Sequence, residues 1–337
     1  MKAIQIAKAG GDFEIVDRDI PQPKENEVLI KVEACGICHS DMFVKEGAWP
    51  GIEYPRIPGH EIVGMVEKVG DKVTAWKEGQ RVGVGWHGGH CFTCVPCRRG
   101  DFIDCENAQI TGISYDGGYA EYMVAPHEAV AAIPDDMKSE EAAPLLCAGI
   151  TVFNALRNTD VRPGDLVGVQ GLGGLGHLGV QYAKKMGYRV AAISTSNDKK
   201  DLADDLGADY FINAKEKDAA EELQKLGGAK VILATAPSGK AISSVINGLG
   251  VKGQLMVIAA ANDNIEVSSL QLIPGSKSIG GWASGTARDS EDTLNFSAQT
   301  HVLPMIETYP LEKAAEAYDR MINNEARFRV VLQIAKD

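Results

Sequence analysis

LVGVQGLGGLGHLGVQYAKKM, residues 166–186, is the stretch on which the fold turns. Leu166–Gln170 is an apolar run of strand length, and Leu175–Met186 has the composition of a helix. Between them, Gly171-Leu172-Gly173-Gly174-Leu175-Gly176 fits G-x-G-x-x-G. Glycine-rich hexapeptides are common, and a purely structural turn is the bland reading. A strand before the glycines and a helix after them supply the context of a dinucleotide-binding turn. In that setting Gly171 allows the tight turn, Gly173 lets backbone approach a pyrophosphate, and Gly176 lets helix pack on strand. The helix start offers free N–H groups to the phosphates.

Outward from the turn, apolar runs recur at Arg189–Ile193, Tyr210–Asn213, Lys230–Ala234 and Gln254–Ala259. They start roughly every 20 to 24 residues, with helical segments such as Ala219–Leu226 between them, the pitch of βαβ units on a parallel sheet. The pattern begins near Thr151 and stops near Gly285. The first half reads differently. Glu27–Glu33, Glu61–Val69 and Gln80–Val84 are short runs punctuated by Gly, Pro and Asp, so a compact antiparallel, barrel-like body is expected there. The fold class is therefore α/β, a β-rich domain over 1–150 followed by a doubly wound parallel sheet over 151–285.

A length of 337 residues suits two domains. Lys+Arg number 34 against 46 Asp+Glu, a formal net charge of −12 with no basic run, which argues against a nucleic-acid partner. The richest apolar stretch, Ala142 to Leu156, is broken by Pro144, Thr151 and Asn154 and is too short to span a membrane. The alternating N-terminus, MKAIQIAKAGGDFEIVD, lacks the apolar core of a signal peptide and reads as a strand of a cytoplasmic protein.

The end of the second strand bears on which dinucleotide is bound. An NAD site places an acid about twenty residues past the turn, where it accepts from the ribose 2′-OH. Here the chain reads Ile193-Ser194-Thr195-Ser196-Asn197-Asp198-Lys199-Lys200. Hydroxyls at Ser194, Thr195 and Ser196, with Lys199 following, can bond a 2′-phosphate that a carboxylate would repel. The pattern favours NADP(H) over NAD(H), the alternative being a solvated lysine face with Asp198 as a helix cap.

Cys91-x2-Cys94-x2-Cys97-x7-Cys105 places four thiols within fifteen residues. Such a set closes a tetrahedral all-sulfur shell around Zn²⁺, a structural site; two disulfides are the competing reading and suit a cytoplasmic chain poorly. Cys38 in CGICHSD, His60 in PGHE and Cys147 in LLCAG form a dispersed second set. Two cysteines, a histidine and an exchangeable fourth position make a catalytic zinc site, although spacing alone does not separate them from inert core. Asp41 and Glu61 stand beside these residues, and Asp41 could accept the other ring N–H of His60. His87, His90, His127, His177 and His301 have no ligand context, and Cys35 reads as buried core.

CGICHSD, PGHEIVG, GHCFTCVPC, DGGYAEY, APLLCAGITV and GLGGLGH, in that order, resemble the zinc-containing medium-chain alcohol dehydrogenases over nearly the whole length. The resemblance implies a GroES-like catalytic domain, a Rossmann domain, and a segment 286–337 that returns to complete the former. It implies two Zn²⁺ per chain: catalytic zinc on Cys38, His60 and Cys147, structural zinc on Cys91, Cys94, Cys97 and Cys105. Glu61 would be an acid able to approach the metal during ligand exchange. Ser40 would bond the substrate oxygen and relay its proton, with His39 near the cofactor phosphates, Thr151 near the nicotinamide and Arg329 on the pyrophosphate. Some members end the proton relay in a histidine where Phe43 stands here.

The chemistry so implied is reversible hydride transfer between a primary alcohol and NADP(H) or NAD(H), a small-molecule reaction. Trp49 and Trp86 match residues that narrow the pocket of short-chain members, and Trp282 is a third candidate lining residue. The Ser-Thr-Ser-x-x-Lys stretch instead resembles the cinnamyl-alcohol dehydrogenase branch, so slender and aromatic substrates both stay open. A polyol or formaldehyde-type dehydrogenase on the same scaffold is the alternative enzyme, and a non-catalytic zinc-stabilised structural protein the alternative class. The resemblance also implies a homo-oligomer, dimer or tetramer.

Overall fold

A computed structural model describes residues 1–334; the last three residues of the expected return segment lie outside them. The chain divides into two compact units, Met1–Ile150 with the chain from Ser284 onward, and Thr151–Ala283.

The first unit opens with an antiparallel hairpin, β1 (Lys2–Ile6) and β2 (Phe13–Asp17). Its main sheet is built on β3 (Glu27–Ile37), β4 (Ile62–Val69) and β5 (Arg81–Val84). Short β6 (His87–Gly89) and β7 (Gln109–Ile110) pair apart from it, flanking the cysteine-rich loop. β8 (Tyr122–Pro126) and β9 (Val130–Ala132) rejoin the main sheet.

The second unit contributes β10 (Leu166–Gln170), β11 (Arg189–Ser194), β12 (Tyr210–Asn213), β13 (Ala229–Ala234), β14 (Leu249–Val257) and β15 (Ser278–Gly281). All neighbours are parallel, in the order β12-β11-β10-β13-β14-β15. The order reverses beside β10, the switch point at which doubly wound sheets bind ligands. All five residues of β10 are buried, as a strand covered on both faces must be.

The chain then returns to the first unit as β16 (Ile306–Pro310) and β17 (Arg329–Gln333). The seven-stranded sheet there runs β16-β17-β3-β4-β5-β9, with β8 also on β3. Its pairings are antiparallel apart from β16–β17. Along one edge of β3, Glu27–Lys31 pair with β8 and Ala34–Ile37 with β17. Val28, Ile30 and Val32 of β3, Val82 and Val84 of β5, and Val330 and Leu332 of β17 share one buried apolar cluster.

Three elements differ from the sequence expectation. β3 continues past Glu33 to Ile37, because its second half is templated by a strand about three hundred residues later. β14 starts at Leu249, five residues before the apolar run at Gln254, with a register shift against β13 where Lys252 takes φ +53°. β15, Ser-Ile-Gly-Gly, was not expected, having a single apolar residue and an exposed pattern.

Candidate active site

The glycine turn leaves β10 at Gly171, whose φ of +95° suits glycine. A Cβ on Gly176 would collide with the Gly171 carbonyl, so Gly176 closes the turn on itself before the helix Gly176–Lys185 begins. A Cβ on Gly173 would meet nothing within 4 Å, which leaves backbone facing open space. Gly174 and Leu175 complete the bend, and Leu175 already has αR backbone. At the end of β11, Ser194 is buried and Thr195 exposed. Ser196 Oγ donates to Asp198 Oδ2 at 2.9 Å, which engages that carboxylate within its own turn. Lys199 Nζ donates to the Leu172 carbonyl at 2.8 Å, so its ammonium lies against the glycine turn. Thr151 is buried in the helix Ala148–Arg157, and Trp282 follows β15, its N–H on Val257 O.

In the first unit the fold gathers the dispersed set. Cys38 directly follows β3 and caps a one-turn 3-10 segment, His39–Asp41; His60 and Glu61 immediately precede β4; Cys147 follows the turn Ala143–Leu146. One ligand atom from each of Cys38, His60, Glu61 and Cys147 lies within 4.8 Å of the others. The Cys38 and Cys147 sulfurs are 3.7 Å apart. Cys38 is held well below the usual thiol range, first by its hydrogen bond with Cys147 and then, against burial, by His60. Cys147 is pushed up by the same bond and by burial.

Asp41 organises this centre from below. Its Oδ1 meets His60 Nδ1 at 3.1 Å, and its Oδ2 accepts the Cys38 N–H and the Tyr119 hydroxyl, both at 2.8 Å. A carboxylate accepts only, so His60 Nδ1 carries a proton. His60 Nε2 is left buried with no protein partner among the described residues. Burial lowers His60, but Asp41 and Cys38 outweigh it and raise it. Tyr119 is pushed well above the ordinary phenol range, first by burial and then by Asp41, and so keeps its proton.

Glu61 is wholly buried and ion-paired to Arg329, the first residue of β17, whose Nη2 also lies 3.4 Å from Ile37 O. Burial pushes Glu61 up to about 7, against the pull of Arg329. Its second oxygen, Oε2, has no partner among the described residues, and Gly36 makes room for it, since a Cβ there would strike it. Trp86 stands edge-on to the His60 ring at 4.9 Å, and Trp49 and Phe43 pack against Trp86 at 5.9 and 6.5 Å. Ser40 is half-buried and His39 exposed.

Cys91, Cys94, Cys97 and Cys105 also converge within 4.8 Å, in the loop between β6 and β7. All seven cysteines are free thiols, so the disulfide alternative is not realised. Cys91 is lowered to about 5, chiefly by bonds from Thr93, and burial raises Cys97 to about 12. At the foot of this loop His87 is buried and stacks on His90 at 5.2 Å, which stacks on Phe102 at 4.2 Å. His177 is a wholly buried helix residue, His127 half-buried, His301 exposed, and Cys35 wholly buried. The sequence reading missed Tyr119 and the Glu61–Arg329 pair. Nothing local signals either: Tyr119 is 78 positions from Asp41, and Arg329 is 268 from Glu61.

A unit with a parallel sheet opening on a glycine turn, together in one chain with a β-rich unit bearing two compact clusters of potential metal ligands, defines a two-unit dehydrogenase. The model of the alcohol dehydrogenase GroES-like domain matches residues 24–135, and that of the zinc-binding dehydrogenase matches residues 174–299. The chain belongs to the zinc-containing medium-chain alcohol dehydrogenase family and is an oxidoreductase. It is 48% identical over 310 residues to alcohol dehydrogenase patD of Penicillium expansum, covering 92% of this chain and 91% of that one. A solved cinnamyl alcohol dehydrogenase of Sorghum bicolor is 32% identical with a TM-score of 0.89, covering 98% of this chain and 97% of that chain. A cinnamyl alcohol dehydrogenase from Helicobacter pylori, solved in complex with NADP(H), is 28% identical with a TM-score of 0.89, covering 100% and 98%. No helix among the described residues is long and apolar enough to cross a membrane.

Proposed function

We propose that the chain is a zinc-dependent alcohol dehydrogenase and aldehyde reductase, moving hydride reversibly between a primary alcohol and NADP(H), with NAD(H) the weaker cofactor. The observation that carries the reading is the convergence of Cys38, His60 and Cys147 on one buried point, with His60 Nε2 unpartnered. Two sulfurs and an imidazole Nε2, freed of any proton on binding, suit Zn²⁺ with one exchangeable position. Zinc held there supplies Lewis acidity that lowers the pKa of an alcohol or polarises an aldehyde carbonyl.

The residues of the chain do the rest. Asp41 holds the His60 proton on Nδ1 and so keeps Nε2 a ligand. Ser40, one residue from Asp41, accepts the proton of the substrate hydroxyl as it passes on its own; with Phe43 in place of a histidine, the proton Ser40 gives up goes to cofactor ribose or water. Glu61, with Oε2 unpartnered, serves as the acid that approaches the centre during ligand exchange, its other oxygen tied by Arg329. The four thiols of the β6–β7 loop hold a second, structural zinc. These residues lie in a catalytic domain made of 1–150 and 286–337, and the cofactor binds the domain 151–285.

The open face of Gly173 and the start of the helix Gly176–Lys185 take the pyrophosphate. Ser194, Thr195, Ser196 and Lys199 take the 2′-phosphate, and the similar NADP(H)-complexed chain supports a nicotinamide cofactor in general. His39, Thr151 and Arg329 complete the contacts to cofactor. The Phe43–Trp49–Trp86 group beside His60 favours slender alcohols.

The test follows nicotinamide absorbance with a primary alcohol and either NADP⁺ or NAD⁺. The expected result is a higher kcat/KM with NADP⁺. A higher value with NAD⁺ would overturn the cofactor assignment, and no reduction with any alcohol by protein carrying two zincs would overturn the activity.

A further inference from the structure

Asp41 is anchored by more than the histidine it faces. Its Oδ2 takes two donors, the Cys38 N–H and the Tyr119 hydroxyl, each at 2.8 Å, while Oδ1 is left for His60 Nδ1. Two bonds to one oxygen fix the plane of a carboxylate that would otherwise turn about its last torsion. Tyr119 is itself immobilised. It is wholly buried, its N–H donates to Pro58 O at 3.1 Å, and its carbonyl accepts from Ile4 N at 2.8 Å. Its ring lies against Gly59, the residue before His60, where a Cβ would collide with it and φ is +103°. One side chain thus bonds the partner of His60 and packs on the backbone that carries His60.

We propose that Tyr119 is a positioning residue of the Cys38–His60–Cys147 centre, fixing through Asp41 the tautomer and ring orientation of His60. The inference rests on the reading that this centre holds zinc. Partners bonded directly to a ligating histidine are worth about 10- to 100-fold in metal affinity. Tyr119 acts one bond further out, and its hydroxyl is one of two donors to Oδ2, so an effect of about 5- to 10-fold is expected.

The test is zinc release from the full chain to an excess of chromogenic chelator. Wild type is expected to release two zincs in two phases, and the phase missing in Cys38→Ser identifies the centre in question. Tyr119→Phe keeps the ring and removes one oxygen; it should speed that phase about 5- to 10-fold and leave the other unchanged. In an Asp41→Asn background the same substitution should add nothing, because the two act in series. Equal acceleration of both phases, no acceleration, or an undiminished effect in the Asp41→Asn background would each overturn the proposal. Wild type that releases one zinc, with no phase lost in Cys38→Ser, would instead overturn the zinc reading of the centre.

Discussion

The two ligand clusters of the first unit are built in opposite ways. Cys91, Cys94, Cys97 and Cys105 come from one loop, and two of them are half-exposed. Cys38, His60 and Cys147 come from three separate junctions, sit beside a buried ion pair, and depend on Asp41 and Tyr119 behind them. A local cluster can assemble as soon as its loop exists, whereas the dispersed one is a product of the finished sheet. Damage to the first should therefore register as lost stability, and damage to the second as lost chemistry.

The sharpest way to break this contrast is Cys38→Ser. Loss of the ligand should lower kcat/KM by roughly a thousandfold, about 4 kcal/mol of transition-state stabilisation, with circular dichroism unchanged. An equal loss of fold would erase the distinction. Cys97→Ser is the counterpart: a zinc held by the four thiols would contribute folding free energy, so Tm should fall by on the order of 10 °C, while activity well below that Tm stays within about threefold of wild type.

A smaller effect sharpens the contrast from the side of pH. His87, under the four-cysteine loop, is lowered to about 4, first by burial and then by His90. Its folded pKa lies below its unfolded value, so the unfolded chain binds the proton more readily. The stability is complete above about pH 6.5 and lost as pH falls toward the folded value near 4. His87→Phe, which preserves the stack on His90, should flatten urea stability between pH 7 and 5 by about 2 kcal/mol. An unchanged acid slope would show that His87 is not a source of the pH sensitivity.

How legible these regions were follows the same division. The glycine turn, the strand before it and the helix after it declare themselves within twenty residues, because spacing and glycine placement are local. The four-cysteine loop is legible for the same reason. Cys38, His60 and Cys147 could be named as candidates from their surroundings, but their convergence is set by strand register between β3 and β4. The Arg329 partnership was beyond reach, since it depends on β17 pairing with the far half of β3. Ser-Ile-Gly-Gly escaped notice because an edge strand held by one neighbour needs little apolar character of its own.

The position of β17 also bears on how the molecule is made. Residues 151–283 carry a complete parallel sheet and are all synthesised before residue 329. During translation, domains fold as units once their chain has emerged. The cofactor-type unit can thus be finished on the ribosome while the unit containing both cysteine clusters still lacks two strands of its sheet and the guanidinium that neutralises Glu61. Until that strand arrives, Glu61 lacks its Arg329 counter-charge, so the arrangement around the dispersed cluster is completed only after the cofactor-type unit can be.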